Sequence, residues 1–141
     1  MRPMILAALL AATCAAVSTT FACGVCVEDK IAAVYDHAAV TRAREVKNTV
    51  VFFAIEGAIP AGAAALRKIA AIAASTPGVD KQSVRISRDG ASLAISFDPR
   101  RAELAQVQKT LDRRLEAMGL SLLAMREMNS PGDLAAVRRP R

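Results

Sequence analysis

Cys23 and Cys26, separated by Gly24-Val25, are the residues whose type and spacing can do chemistry. A C-x-x-C pair brings two sulfurs close enough to chelate one soft metal ion or to close a small disulfide. Thiolates suit Cu(I) and Zn(II). A helix N-terminus lowers a thiol's pKa and so raises its thiolate fraction. Two thiolates leave Zn(II) short of its usual four ligands, whereas a two-coordinate Cu(I) site needs no more. With Cys23 as the first residue of a mature chain, its α-amine closes a five-membered chelate with its own sulfur. Cys23 and Cys26 are therefore the candidate metal ligands, with Cu(I) or Zn(II) as the ion.

Other ligand types sit poorly for sharing that ion. His37, the single histidine, lies eleven residues beyond Cys26, about 16 Å away along a continuous helix. Met118, Met125 and Met128 carry thioethers that hold Cu(I), but Met118 falls at a core helical spacing and Met125 in a strand. Ordinary packing is the stronger reading for all of them. Redox work is the main competitor, because C-x-x-C at a helix start is the thioredoxin arrangement. There the pair follows a strand inside a βαβ unit; here it precedes the whole domain. An inert or regulatory disulfide is the remaining thiol outcome. No serine-histidine-acid set, phosphate-binding glycine loop or recognisable carboxylate pair stands out, so no catalytic residues are expected and the chain reads as a non-enzyme.

The amino-terminal stretch places this chemistry in a compartment. Met1-Arg2 is a short positive start, Ile5 to Val17 is apolar, and Ser18 to Ala22 is small and polar with Thr20 and Ala22 at the cleavage-specificity positions. The apolar run is shorter than the roughly 20 residues a membrane span needs. Residues 1–22 therefore read as a signal peptide cleaved after Ala22, and the protein as periplasmic or secreted. Cleavage removes Cys14, leaving two of the three cysteines, an even number in an oxidising compartment. A lipid on Cys23 is the one route to a membrane, although Thr20-Phe21-Ala22 lacks the small aliphatic pattern of a lipid-attachment signal.

Net charge is +6, with the one tight cluster at Arg138-Arg139-Pro140-Arg141. A single-strand nucleic-acid reader pairs a basic face with aromatics. This chain has no Trp, one Tyr and four Phe, and export removes it from the genome, so no nucleic-acid partner is expected.

Behind the cysteines, the elements follow from periodicity. Val27 to Val46 reads as one helix with Ile31, Val34, Tyr35 and Ala38 at helical spacing and Glu28 and Asp29 in its first turn. Thr49 to Glu56 is a β-branched and aromatic strand ending at Gly57. Pro60 opens a helix through Ser75, stopped by Thr76-Pro77-Gly78. Ser83 to Arg88 and Ala91 to Phe97 alternate around Asp89-Gly90, a hairpin signal. Asp98-Pro99 caps a helix carrying Leu104, Val107, Leu111, Leu115 and Met118. Gly119 is its C-cap, and Leu120 to Arg126 forms a last strand. The order β-α-β-β-α-β predicts an α+β, ferredoxin-like sandwich preceded by an N-terminal helix. The divisions are residues 1–22, the C-x-x-C segment and helix at 23–48, the sandwich at 49–128, and a basic tail at 129–141.

From Val50 to Arg126 the chain resembles the heavy-metal-associated domain of copper chaperones and metal-pumping ATPases. The resemblance rests on strand-Gly57-loop-helix, Pro77-Gly78-Val79, Phe97-Asp98-Pro99 and Met118-Gly119. It implies soft-metal binding or trafficking, with a metal transporter or another exported metal-handling protein as partner. The family's Met-x-Cys-x-x-Cys loop is replaced by Ala58-Ile59-Pro60-Ala61-Gly62-Ala63, which carries no side-chain ligand. If the N-terminal helix packs antiparallel on the first strand, it covers Val50, Phe52 and Ala54 and brings the cysteine pair towards that vacated loop. An interaction module that has lost its metal site is the alternative.

Overall fold

The computed structural model describes residues 23–128; the proposed signal peptide and the basic tail lie outside that range. Element order is α1 (Cys23–Ala32), α2 (His37–Glu45), β1 (Thr49–Glu56), α3 (Ala63–Ala74), β2 (Arg85–Ser87), β3 (Ser92–Phe97), α4 (Leu104–Leu115) and β4 (Ser121–Met128). Single 3-10 turns occupy Lys81–Ser83 and Glu116–Met118. The fold class is α+β, built on one four-stranded antiparallel sheet in the order β2-β3-β1-β4.

β1 occupies an interior position because TVVFFAIE has apolar side chains for both faces. Val51, Phe53 and Ile55 point into a core closed by Ile69 and Ala73 of α3 and Val107, Leu111 and Leu115 of α4. Val50 and Phe52 point the other way, into a second cluster with Ile31 of α1, Val34 of the connection after it, and Val40 and Ala43 of α2. A strand with apolar residues on both sides needs a layer on both sides, since exposed apolar surface costs about 25 cal/mol per Å². The sheet is covered on its second face by α1, α2 and the connection between them. Tyr35 contributes by stacking on Phe52, with ring centroids 6.3 Å apart and planes at 18°.

The sheet's outer strand β4 is long, but its edge is modified. Its pairing with β1 shifts register between Phe52 and Phe53. At its start, the Leu122 N–H donates to Asp112 Oδ1 at 2.7 Å, and the Leu122 carbonyl accepts from Gln108 Nε2 at 2.9 Å.

Four expectations need correction. The single helix from Val27 to Val46 is two helices, and the first begins at Cys23. Asp36 causes the break: it takes an extended conformation and caps α2 by accepting from the Ala39 N–H at 3.1 Å. Glu28 and Asp29 accordingly lie past the first turn of α1. α3 starts at Ala63 rather than Pro60, because Gly62 takes φ 90° immediately before it. Asp98 caps a turn, through the Arg100 N–H, and α4 starts later, with Glu103 at its N-cap. Gly119 does end the segment after α4 in the left-handed conformation, φ 68°.

Candidate functional site

Cys23 and Cys26 occupy the first turn of α1. Positions three apart on a helix are neighbours one turn apart, so the backbone gives the pair the spacing that chelation or a disulfide requires. The first amide groups of a helix have no intrahelical partners, which leaves partial positive charge at the turn that Cys23 and Cys26 share.

The direction of α1 follows from its contacts. Lys30 Nζ donates to the Gly90 carbonyl at 3.0 Å, and Ala33 packs so closely that a Cβ on Gly90 would lie 2.7 Å from its own. Gly90 belongs to the β2–β3 hairpin, and the Ile55 N–H donates to Ala91 O at 2.7 Å, which puts that hairpin at the Gly57 end of β1. Earlier in the helix, Glu28 pairs with Arg126, whose register partner is Phe52, well back along β1. α1 therefore runs obliquely from the β4 edge to the β2–β3 hairpin. Its last turn, rather than its first, lies at the Gly57 end. The expected delivery of the cysteine pair to the 58–63 loop is not what the fold does.

That loop has a different occupant. Arg88 reaches across from the hairpin and donates to the Pro60 carbonyl at 2.8 Å and to the Gly62 carbonyl. A guanidinium is permanently charged, so it fixes the segment before α3 while opposing any metal cation there. At the other end of α3, Arg114 donates to Ile72 O at 3.1 Å and Ser75 Oγ at 2.8 Å. Cationic side chains at a helix C-terminus satisfy its last carbonyls.

His37 is exposed at the start of α2, in a different helix from the cysteines. Met118 packs on the α3/α4 core, and Met125 and Met128 pack with the second cluster; the methionines serve packing. Among the described residues no three His, Cys, Asp or Glu side chains are grouped to hold a metal ion. No described helix is long and apolar enough to cross a membrane.

A polar junction missed by sequence reasoning lies between α2 and β2. Arg85 Nε donates to Asp36 Oδ2 at 2.8 Å, while its Nη1 donates to the carbonyls of Gln82 and Val84 at 2.9 and 2.8 Å. The Ala39 N–H and then the Arg85 guanidinium hold the Asp36 carboxyl below its usual value of 3.8. The Asp-His-Ala-Ala run at 36–39 was the available signal, because aspartate is a preferred N-cap. Its partner in β2 is 49 positions away and leaves no local pattern.

Because the folded carboxyl is the stronger acid, its stabilising contribution is complete above the unfolded value of 3.8 and is lost as pH falls through the folded value. Asp36→Asn keeps an N-capping side chain but removes the charge. Its urea midpoint is expected to fall below wild type at about pH 7, with the gap narrowing as pH is lowered through the acid range below 3.8. A gap unchanged across that range would mean that the charge is irrelevant.

Behind this junction, Val34, Val40, Val50, Phe52 and Ser96 line a cavity of about 10 Å³, room for about one water molecule. Comparison with family models, with curated proteins and with solved structures finds no match for the chain.

Proposed function

We propose that this chain is an exported soft-metal carrier that binds Cu(I), or less completely Zn(II), through the thiolates of Cys23 and Cys26. The observation that carries this reading is the C-x-x-C pair in the first turn of α1, where helix-end charge favours thiolate. The strand order and the two-layer packing of α3 and α4 on one sheet face are compatible with a ferredoxin-like fold. Taken with the resemblance to heavy-metal-associated domains, this makes metal trafficking the best-supported use of the pair. A metal transporter or another exported metal-handling protein, itself bearing thiolates, is the partner chemistry that would exchange the ion. In this proposal the chain works in the periplasm or outside the cell.

Anaerobic titration of the reduced mature protein with Cu(I), against a competing chelator, tests the proposal. One Cu(I) per chain is expected. Cys23→Ser/Cys26→Ser is expected to weaken binding by at least ~100-fold, since even outer-shell partners of a metal site are worth about 10–100-fold. Equal affinity in the double variant rejects thiolate ligation.

The non-catalytic interaction module remains the second reading, favoured by Arg88 on the loop where a metal would otherwise sit. The redox reading uses the same two thiols and is separated by the disulfide's reduction potential. A value near those of known protein oxidants favours it.

A further inference from the structure

We infer that α1 and α2 form a detachable cover over the second face of the sheet, opening as a unit about the Lys47–Asn48 connection while the α3/α4 side stays folded.

The two faces are held differently. The α3/α4 core contains the fully buried Phe53, Phe97, Ile69, Leu93, Ile95 and Leu111. On the other face the cover contributes, among the described residues, the smaller buried apolar side chains Ile31, Val34, Ala39, Val40 and Ala43. β3 meets them with Ser92, Ala94 and Ser96, and the hydroxyls of both serines are buried without a protein partner among the described residues. Ser96 also lines the small cavity at the seam. Hydroxyls that make no bond to the cover do nothing to hold it closed.

Much of the remaining attachment is polar and close to water. Asp36–Arg85 and Glu28–Arg126 are partly exposed ion pairs on opposite sides of the cover, and Lys30 bonds one carbonyl of the hairpin. Exposed pairs contribute little and are screened by salt. Tyr35, stacked on Phe52, is itself 38% exposed.

The connection to β1 has the character of a hinge. Lys47 takes φ 61°, a left-handed conformation uncommon for a residue with a side chain. Two backbone bonds secure it: Lys47 N–H to Arg44 O at 3.0 Å and Asn48 N–H to Ala43 O at 2.7 Å. Opening here would free Val50, Phe52 and Ala94 and carry the cysteine pair away from the sheet. Low-stability units of this kind open below the global unfolding free energy. The inference is independent of metal binding, and its failure leaves the thiolate reading intact.

Native-state hydrogen exchange on the reduced mature protein tests it. Amides of α2 are expected to exchange at least ~10-fold faster than those of Val51, Phe53 and Ile95, a difference of about 1.4 kcal/mol in opening free energy. Raising salt from about 0.05 to 0.5 M is expected to speed α2 and leave the central strands unchanged. Arg85→Ala/Arg126→Ala is expected to do the same at low salt. Should that variant not fold, the wild-type salt series decides. Tyr35 is the only tyrosine and the chain has no Trp, so its fluorescence reads the seam directly. Quenching by a neutral quencher is expected to rise with salt alongside α2 exchange. A common rate for α2 and the central strands at every salt concentration, with quenching unchanged, overturns the inference.

Discussion

Replacing Phe53 with alanine is expected to destabilise the fold by about 3–5 kcal/mol, the usual cost of deleting a buried phenylalanine. Domains of this size have about 5–15 kcal/mol in total, so the change removes a large share and can abolish folding at 37 °C. Phe53 is fully buried in the core between the sheet and α3/α4, where its neighbours come from every layer of that half. β1 around it is tied on both sides, to Leu93 of β3 and Ala124 of β4. The neighbours therefore have little freedom to collapse into the space, which places the cost towards the upper part of the range. Urea denaturation measures it. A loss under about 1 kcal/mol would show that the core repacks around the missing ring.

Gly57→Ala is the second large effect, expected at about 3 kcal/mol or more, from strained backbone and overpacking together. Gly57 has φ 97°, in a region that side chains rarely adopt. A Cβ there would also fall inside 3.0 Å of the Gly119 carbonyl oxygen and press on Leu120. Backbone cannot step aside as a flexible side chain can, so the turn after β1 and the turn before β4 must separate. Gly62→Ala provides the internal comparison. Gly62 also has positive φ, but a Cβ there meets nothing within 4 Å, so it isolates conformational strain from collision. The expected order of urea midpoints is wild type, then Gly62→Ala, then Gly57→Ala. Equal midpoints for the two variants would mean that the contact with Gly119 is readily relieved.

Much of this architecture was legible because local patterns were strong. β1 matches its expected limits at Thr49 and Glu56, where β-branched and aromatic residues run without interruption before Gly57. The split of its side chains between two faces was legible too, since a strand's period of two is fixed by geometry. Helix starts were less accessible. Pro60 and Pro99 both suit a first helical turn, yet α3 and α4 begin later, after Gly62 and Glu103. Proline permits a start without compelling one. At the first of these sites, Arg88 supplies what the sequence pattern did not, by holding the Pro60 and Gly62 carbonyls from 28 and 26 residues away.

The candidate site was legible as a residue pair and not as a position. Cys23 and Cys26 stand out by their spacing alone, and the structure adds that they share the first turn of a helix. Their expected place beside the 58–63 loop required the orientation of α1, which is set by distant partners: Glu28 with Arg126 and Lys30 with Gly90. Such side-chain pairings leave no periodic trace. Asp36 compounded the error, because reading through it as helix gave one long element that could reach from one end of the sheet to the other.

The hydrogen bonds at Leu122 bear on how this protein behaves in a crowd. A long outer strand offers neighbouring chains a row of backbone groups on which to add, the usual start of edge-to-edge aggregation. Here the first outward rung is already occupied from within the same molecule, its N–H by Asp112 and its carbonyl by Gln108. The register shift further along β4 spoils the straight template that an incoming strand would need. α4 thus acts as a guard as well as a wall of the core, closing the start of the longer of the two described edge strands to an incoming chain.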